Sequence, residues 1–271
     1  MPAETYEAEG FEVPVETWGS AGDTLVFLPG LGCAPAEYRR GLETAARDFR
    51  IVVPDLSFRN RPRLPTSIDE YLAVVTSLTD RVAPGAPWAG HSFGGLLALI
   101  HPGPAVACAP SVPARIAFPR TVGRAVRLQL REYLGFEGRA AVPYALRTTR
   151  DYVTRAVLRP RGLFSITSAL NVEPDRRPPR CERAVVYLST EDALYRRREY
   201  EAYLRNGDRS RMVVRHVEEG HDWPITHGER LAERFDEALD LLGAEDADQN
   251  GPICRSANDT VSRRNDSSSS S

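Results

Sequence analysis

A serine at position 92 lies in the segment G-H-S-F-G, residues 90–94, and a further glycine, Gly95, follows directly. An apolar segment precedes this run and an apolar segment with helical spacing follows it, which predicts a sharp strand-to-helix turn at Ser92. Such a turn lifts the hydroxyl oxygen to the carboxyl edge of a sheet and directs the free N–H groups of the helix toward a reacting carbonyl. The flanking positions must be small because bulky side chains would collide there. The spacing therefore favours Ser92 as a nucleophile.

A serine hydroxyl is a poor nucleophile until a base accepts its proton. Among the five histidines, His221 follows an apolar strand predicted over 212–217 and precedes D-W-P at 222–224. This loop belongs to the same carboxyl edge of the sheet, so His221 is the predicted base. The remaining histidines suit structural roles beside the serine, at a helix end, within a strand and in the first turn of the last helix: His91, His101, His216 and His227.

Two segments, G-H-S-F-G-G at 90–95 and L-P-G-L-G at 28–32, resemble the nucleophile and oxyanion loops of the α/β-hydrolase superfamily, in particular its esterase- and lipase-like members. The resemblance spans residues 5–243. It implies a serine hydrolase that cleaves a carboxylic ester or related acyl compound through an acyl-serine intermediate. It also implies that the backbone N–H groups of Leu31 and Phe93 bind the oxyanion, and that neither a metal nor an organic cofactor is required.

The same resemblance places the acid after the strand predicted over 184–189, which ends in T-E-D at 190–192. A carboxylate there would hold the imidazole in the required tautomer and stabilise the imidazolium. Asp192 is the preferred acid, because aspartate is more usual at this position, and Glu191 is the competing residue. The preceding strand is followed by no carboxylate before Glu132, which excludes the earlier position that some relatives use for the acid.

Short apolar runs alternate with helical patterns on both sides of residues 111–180, which predicts crossover units on a mostly parallel sheet flanked by helices, an α/β fold. About a dozen residues separate Ser92 from the next strand, fewer than relatives usually have. Strands are predicted over 11–17, 24–28, 51–53, 87–89, 105–108, 183–189 and 212–217, and helices over 34–47, 67–82, 193–205 and 225–242.

Residues 111–180 interrupt this alternation with amphipathic helical stretches, and we interpret them as a helical cap inserted into a core formed by 1–110 and 181–243. Residues 244–271 are polar and end in five serines, so we expect a disordered tail. The cap carries fourteen arginines against five acidic residues, whereas the whole chain has a net charge of −2. The arginines suit either a solvated surface or an entrance that attracts an anionic acyl substrate.

The composition excludes several classes of function. A net charge of −2 and a pI near 6.3 give no reason to expect a nucleic-acid partner. No lysine occurs among the 35 basic residues, so neither a Schiff-base lysine nor a P-loop is available. The four cysteines share no C-x-x-C spacing, which argues against a zinc site or a disulfide framework. Without a signal peptide or an apolar run of about 18 residues, a cytoplasmic protein with no membrane span is expected.

Two alternatives to an ester hydrolase stay open at this point. The same three residues could cleave an amide or a carbon–carbon bond, because they do not encode the leaving group. The chain could also be a non-catalytic binding protein on this scaffold, although an intact Ser92, Asp192 and His221 in the expected order argue against it.

Overall fold

The computed structural model describes residues 3–58, 61, 63–113, 177–192 and 194–250. Within these residues, eight strands form one sheet in the order β1-β2-β4-β3-β5-β6-β7-β8. The strands are β1 (Glu4–Ala8), β2 (Phe11–Trp18), β3 (Thr24–Leu28), β4 (Arg50–Pro54), β5 (Trp88–His91), β6 (Ala105–Cys108), β7 (Ala184–Ser189) and β8 (Met212–Val217).

Six helices accompany the sheet in the described part of the chain. They are α1 (Arg39–Ala45), α2 (Ile68–Val82), α3 (Phe93–Ile100), α4 (Arg197–Leu204), α5 (Trp223–Thr226) and α6 (Gly228–Asn250). Single 3₁₀ turns at Pro35–Tyr38 and Arg209–Arg211 lead into α1 and β8.

The direction of the strands sets where a site can form. The six strands from β4 across to β8 run parallel, whereas β2 is antiparallel to both β1 and β4. The central strand β3 pairs with β4 on one side and β5 on the other, so successive connections leave it in opposite directions. Ligands of open α/β sheets bind beyond the carboxyl ends of the strands at such a reversal. The mostly parallel sheet predicted from the sequence is confirmed.

Side chains alternate strictly between the two faces of the central strands, and both faces are buried. In β3, Val26 and Leu28 pack into the core under α2, α3 and α4, whereas Leu25 and Phe27 pack into the core under α1, α5 and α6. Burial on both faces explains why the parallel strands read as continuous apolar runs in the sequence. It also confirms the prediction that helices flank the sheet.

Strand pairing joins parts of the chain that are far apart in sequence. Strand β6 pairs with β7 in the register Cys108↔Tyr187, although residues 109–183 lie between the two strands. The cap predicted over 111–180, with its arginines, lies outside the described residues except for 111–113 and 177–180.

Three elements differ from the predictions made from sequence. Strand β1 was not predicted, because it lies at the edge of the sheet and its E-T-Y-E-A sequence is largely exposed. The helix expected over 34–47 is a 3₁₀ turn followed by the short α1. Helix α6 continues to Asn250, beyond the end of the helix predicted over 225–242. The added residues are mostly alanine, glutamate and aspartate, which a helix tolerates at low cost.

Of the tail predicted over 244–271, residues 251–271 lie outside the described part of the chain. Among the described helices, none is both long and apolar enough to cross a membrane.

Candidate active site

Ser92 occupies the turn between β5 and α3 with a backbone φ of 51° and ψ of −115°. A positive φ is uncommon for a residue with a side chain and is kept only where the surroundings enforce it. Here the N–H of Ser92 donates to the carbonyl of Cys108 at 3.1 Å, and its carbonyl accepts from the N–H groups of Ser111 at 2.8 Å and Leu96 at 3.0 Å. The turn is thus held from the end of β6 and from α3.

The glycines that flank the serine are required by close backbone contacts. A Cβ atom on Gly94 would lie 2.0 Å from the carbonyl oxygen of Leu28, and one on Gly90 would lie 2.3 Å from the carbonyl carbon of Gly94. No side chain can occupy such a distance without moving the backbone. The two glycines two positions either side of Ser92 are therefore a steric requirement of the turn.

The structure brings the three predicted side chains into one hydrogen-bonded line. The Oγ atom of Ser92 lies 2.9 Å from Nε2 of His221, and Nδ1 of His221 lies 2.8 Å from Oδ2 of Asp192. Asp192 follows β7 and His221 follows β8, so all three residues stand at the carboxyl ends of strands. An ionised carboxylate only accepts hydrogen bonds, so Nδ1 carries a proton and Nε2 of the neutral ring accepts from the Ser92 hydroxyl.

Asp192 is held by four donors and has almost no contact with solvent, since 1% of its side chain is exposed. Oδ1 accepts from the N–H groups of Leu194 at 2.7 Å and Tyr195 at 2.8 Å. Oδ2 accepts from His221 and from the Tyr200 hydroxyl. Burial raises the pKa of Asp192, but His221 and the hydrogen bonds outweigh burial and leave this pKa below its ordinary value.

Glu191, the competing acid, is exposed to solvent, and its backbone N–H donates to the carbonyl of Glu219 at 3.2 Å. The carboxylate that reaches His221 is that of Asp192.

His91 joins three loops of the site through buried hydrogen bonds. The N–H of Gly30 donates to the Tyr38 hydroxyl at 2.9 Å, which lies 2.7 Å from Nδ1 of His91. Nε2 of His91 lies 3.0 Å from the backbone carbonyl of His221. A carbonyl cannot donate, so Nε2 bears the proton and Nδ1 accepts from Tyr38. Burial lowers the pKa of His91 to about 4, which keeps the ring neutral in this arrangement. The structural role predicted for His91 thus includes support of the His221 loop.

Ser111 is a site residue that sequence reasoning missed. Its hydroxyl lies 3.1 Å from the Ser92 hydroxyl, and the residue is 5% exposed. It follows β6, the place where the sequence offers no carboxylate, and nothing in its neighbourhood of the sequence signals a second hydroxyl beside the nucleophile. Its contact with Oγ of Ser92 gives the nucleophile a second polar neighbour besides His221.

The two residues predicted to bind an oxyanion lie on adjoining segments. Leu31 belongs to the loop after β3, and Phe93 is the first residue of α3, where a backbone N–H has no acceptor within the helix. The loop packs directly on the start of this helix, since a Cβ atom on Gly94 would lie 2.7 Å from the carbonyl oxygen of Pro29. The N–H of Phe93 is thus placed beside the nucleophile by the turn itself.

Three buried side chains, those of His91, His221 and Asp222, each place a possible metal-ligand atom within 4.8 Å of the others. Both ring nitrogens of His221 are engaged with Ser92 and Asp192, and Nε2 of His91 donates to a carbonyl. With these nitrogens already hydrogen-bonded, the group fits a hydrogen-bonded cluster better than a metal site.

Comparison with known proteins adds a family to this geometry. The model of the alpha/beta hydrolase family matches residues 25–234. No curated protein matches the sequence.

Solved structures share the fold at low sequence identity. A serine hydrolase from the polyaromatic-hydrocarbon-degrading bacterium Cycloclasticus zankles is 16% identical, with 90% of this chain and 99% of that chain covered and a TM-score of 0.65. A thermophilic esterase from Thermogutta terrifontis is 18% identical, with coverages of 88% and 97% and a TM-score of 0.56. A meta-cleavage product hydrolase from Pseudomonas fluorescens IP01 is 17% identical, with coverages of 86% and 97% and a TM-score of 0.62.

Proposed function

Because the chain belongs to the alpha/beta hydrolase family and is an enzyme of that family, we propose that it cleaves a carboxylic ester or related small acyl compound through an acyl-serine intermediate on Ser92. The observation that carries this proposal is the line from Ser92 Oγ to His221 Nε2 at 2.9 Å and from His221 Nδ1 to Asp192 Oδ2 at 2.8 Å. A nucleophile, a base within hydrogen-bond reach and a group that orients the base are what acyl transfer requires.

In the first half of the reaction, Oγ of Ser92 attacks the acyl carbon while Nε2 of His221 accepts the hydroxyl proton. The resulting imidazolium is stabilised by the carboxylate of Asp192. Negative charge builds on the former carbonyl oxygen, and the N–H groups of Leu31 and Phe93 stabilise it, each by about 3–4 kcal/mol. When the carbonyl re-forms, the bond to the leaving oxygen breaks, and that oxygen takes the proton from Nε2 and departs as an alcohol.

The second half removes the acyl group from the enzyme. Water attacks the acyl carbon and gives a proton to Nε2 of His221, which later returns it to Oγ of Ser92 as the ester bond breaks. The products are a carboxylic acid and the free enzyme, so each proton taken by His221 is returned. No step in this sequence calls on a group other than side chains, backbone N–H groups and water.

A second candidate is hydrolysis of a carbon–carbon bond with the same residues. The similarity to a meta-cleavage product hydrolase favours testing it, but at this sequence identity that similarity concerns the fold. The three residues act in the same order for either bond, because the leaving group is recognised elsewhere. The ester is preferred because an alkoxide departs once it takes the proton that His221 carries, whereas a carbon leaving group must in addition be stabilised as a carbanion.

A fluorophosphonate probe and a panel of p-nitrophenyl esters with graded acyl length test the proposal. The wild-type protein should be labelled at Ser92 and should hydrolyse at least part of the panel, and Ser92→Ala should lose both properties. The matched control is Ser189→Ala, since Ser189 is also buried at the end of a strand and its hydroxyl has no hydrogen-bond partner in the described part of the chain. Undiminished hydrolysis by folded Ser92→Ala would refute the proposal.

A further inference from the structure

One carboxylate oxygen at the site receives two side-chain donors. Oδ2 of Asp192 accepts from Nδ1 of His221 and from the hydroxyl of Tyr200, a residue on the buried side of α4 that is 1% exposed. Burial raises the pKa of Tyr200 well above its ordinary value, so its hydroxyl is a protonated donor under all working conditions. The oxygen that faces the base is therefore shared with a phenol.

Tyr200 is not needed to orient the carboxylate. Oδ1 of Asp192 is already fixed by the N–H groups of Leu194 and Tyr195 at 2.7 and 2.8 Å, and Oδ2 by His221. A carboxylate held at both oxygens has its plane and position set. What the Tyr200 hydroxyl changes is the amount of negative charge that the second oxygen presents to the imidazole, because a hydrogen bond to a charged acceptor draws on that charge.

We propose that Tyr200 acts on the base through Asp192: its hydroxyl shares Oδ2 of Asp192 with His221 and so limits how strongly the carboxylate stabilises the protonated base. The inference rests on the proposed function, in which His221 alternates between neutral and protonated forms. A base that holds its proton too strongly is slow to return it to the leaving group. Tyr200 keeps the basicity of His221 suited to both halves of the reaction.

The other titratable groups around the base are all retained in the Tyr200→Phe variant. The ring of His91 lies 5.2 Å from that of His221 and is neutral, since burial lowers the pKa of His91 to about 4. The ring of Tyr195 lies 5.9 Å away, and burial raises its pKa to about 12. The nearby carboxylates are Asp192 in the loop after β7, Asp222 in the loop of His221 and Glu199 on α4.

Helix α4 supplies a matched pair of tyrosines for the experiment. Tyr203 lies on the same helix, is also buried, and its hydroxyl has no hydrogen-bond partner in the described part of the chain. Tyr200→Phe and Tyr203→Phe therefore remove the same atom from the same helix, and only the first change removes a donor to Asp192.

The test measures kcat/KM against pH for the wild-type full-length protein and both variants, together with the titration of ¹⁵N-labelled His221 in the resting enzyme, assigned with His221→Gln. In Tyr200→Phe the acidic limb and the His221 titration should both move up by about one pH unit, since a hydrogen bond to a charged group has about that effect. In Tyr203→Phe both should stay where they are in the wild type. A purely structural role for Tyr200 would lower activity and leave both midpoints in place.

Should Tyr200→Phe fail to fold, 3-fluorotyrosine at position 200 gives a test of opposite sign. It keeps the hydroxyl but makes it a stronger donor, so both midpoints should move to lower pH. The resting-enzyme titration does not depend on turnover, so a protein that cleaves no ester would refute the proposed function while leaving the role of Tyr200 testable. Equal His221 midpoints in the wild type and in the folded variant at position 200 would overturn the inference.

Discussion

Ser92 and Asp192 stand at opposite ends of one hydrogen-bonded line, and different forces hold them there. The serine end is set by the backbone: a φ of 51° at Ser92 and two glycines on which a Cβ atom would lie only 2.0–2.3 Å from neighbouring backbone atoms. The acid end is set by hydrogen bonds from two backbone N–H groups and two side chains to one carboxylate. The serine end should therefore be sensitive to size, and the acid end to charge and donors.

The largest loss of activity is expected when the charge of the Asp192 side chain is removed and the size of the side chain is kept. Asp192→Asn should lower kcat on the order of 10⁴-fold, as in a related triad, because the amide can hold the imidazole in the wrong tautomer. Glu191→Gln, one residue away and exposed, should leave kcat unchanged. A greater loss of kcat in Glu191→Gln than in Asp192→Asn would show that the acid is Glu191 and that the assignment to Asp192 is wrong.

The converse change adds one methyl group at the serine end and alters no charge. Gly94→Ala places a Cβ atom 2.0 Å from the carbonyl oxygen of Leu28, so the turn must shift. We expect kcat/KM to fall about 100-fold or more, since small displacements of a catalytic group have effects of this size, and stability to fall by about 3 kcal/mol.

The control for this change is Gly243→Ala in α6, where the added methyl group meets nothing within 4 Å. It should keep full activity and stabilise the helix by about 0.5–1 kcal/mol. Wild-type activity in Gly94→Ala would show that size does not govern the serine end.

The two kinds of support meet at His91, and Tyr38→Phe probes that junction. The change removes the acceptor of the Gly30 N–H and the donor to Nδ1 of His91. The loop before Leu31 and the loop of His221 are both released, so kcat should fall about tenfold, an effect of the size of one hydrogen bond, with little change in KM. Tyr187→Phe also removes a hydroxyl that donates at 2.9 Å, to the carbonyl of Arg234, and should retain kcat. Equal kcat values for the two variants would place Tyr38 outside the support of the site.

The last effect concerns stability against pH and leaves activity aside. Burial lowers the pKa of His91 from its ordinary value of 6.5 to about 4 in the folded protein. Between pH 4 and pH 6.5, the unfolded chain therefore binds a proton at His91 that the folded chain does not bind. Stability from this group is complete above pH 6.5 and is lost as the pH falls toward 4. The loss between pH 7 and pH 5 should be about 2 kcal/mol. The free energy of unfolding can be measured in urea at both pH values. Its fall from pH 7 to pH 5 should be smaller in His91→Asn than in the wild type by this amount. An equal fall in the two proteins would contradict the effect assigned to the burial of His91.

The difference between the two ends also explains what could be predicted from sequence. The serine end requires glycine two positions before and two positions after the nucleophile, and this requirement is visible along the chain as G-x-S-x-G. Strands β3, β6 and β8 were predicted with the bounds that the structure has. For β3 and β6 the reason is burial on both faces, which makes each strand a continuous apolar run. The start of α2 is equally local, since the hydroxyl of Ser67 accepts from the N–H of Glu70 at 3.2 Å and a serine before an apolar helical run is typical of a helix N-terminus.

The acid end could be predicted only as far as the carboxylate itself. Tyr200 lies one helix later than Asp192 in an arginine- and glutamate-rich segment, R-R-R-E-Y-E at 196–201, where no pattern distinguishes a donor from a core tyrosine. The hydroxyl of Ser111 and the path through Tyr38 and His91 depend on strand order, which brings residues from different strands together. Such contacts follow from the folded sheet and have no signature in spacing along the chain.

The pairing of β6 with β7 has a consequence for how the chain can vary in length. When β6 pairs with β7, the ends of the segment 109–183 are brought together at a cost in chain entropy. This cost rises by only about 0.6 kcal/mol for each doubling of the segment's length. The register Cys108↔Tyr187 and the serine on the strand beside it would be little affected by insertions or deletions between these strands. Ser92, Asp192 and His221 all lie outside residues 109–183, so the proton path among them does not depend on the length of that segment.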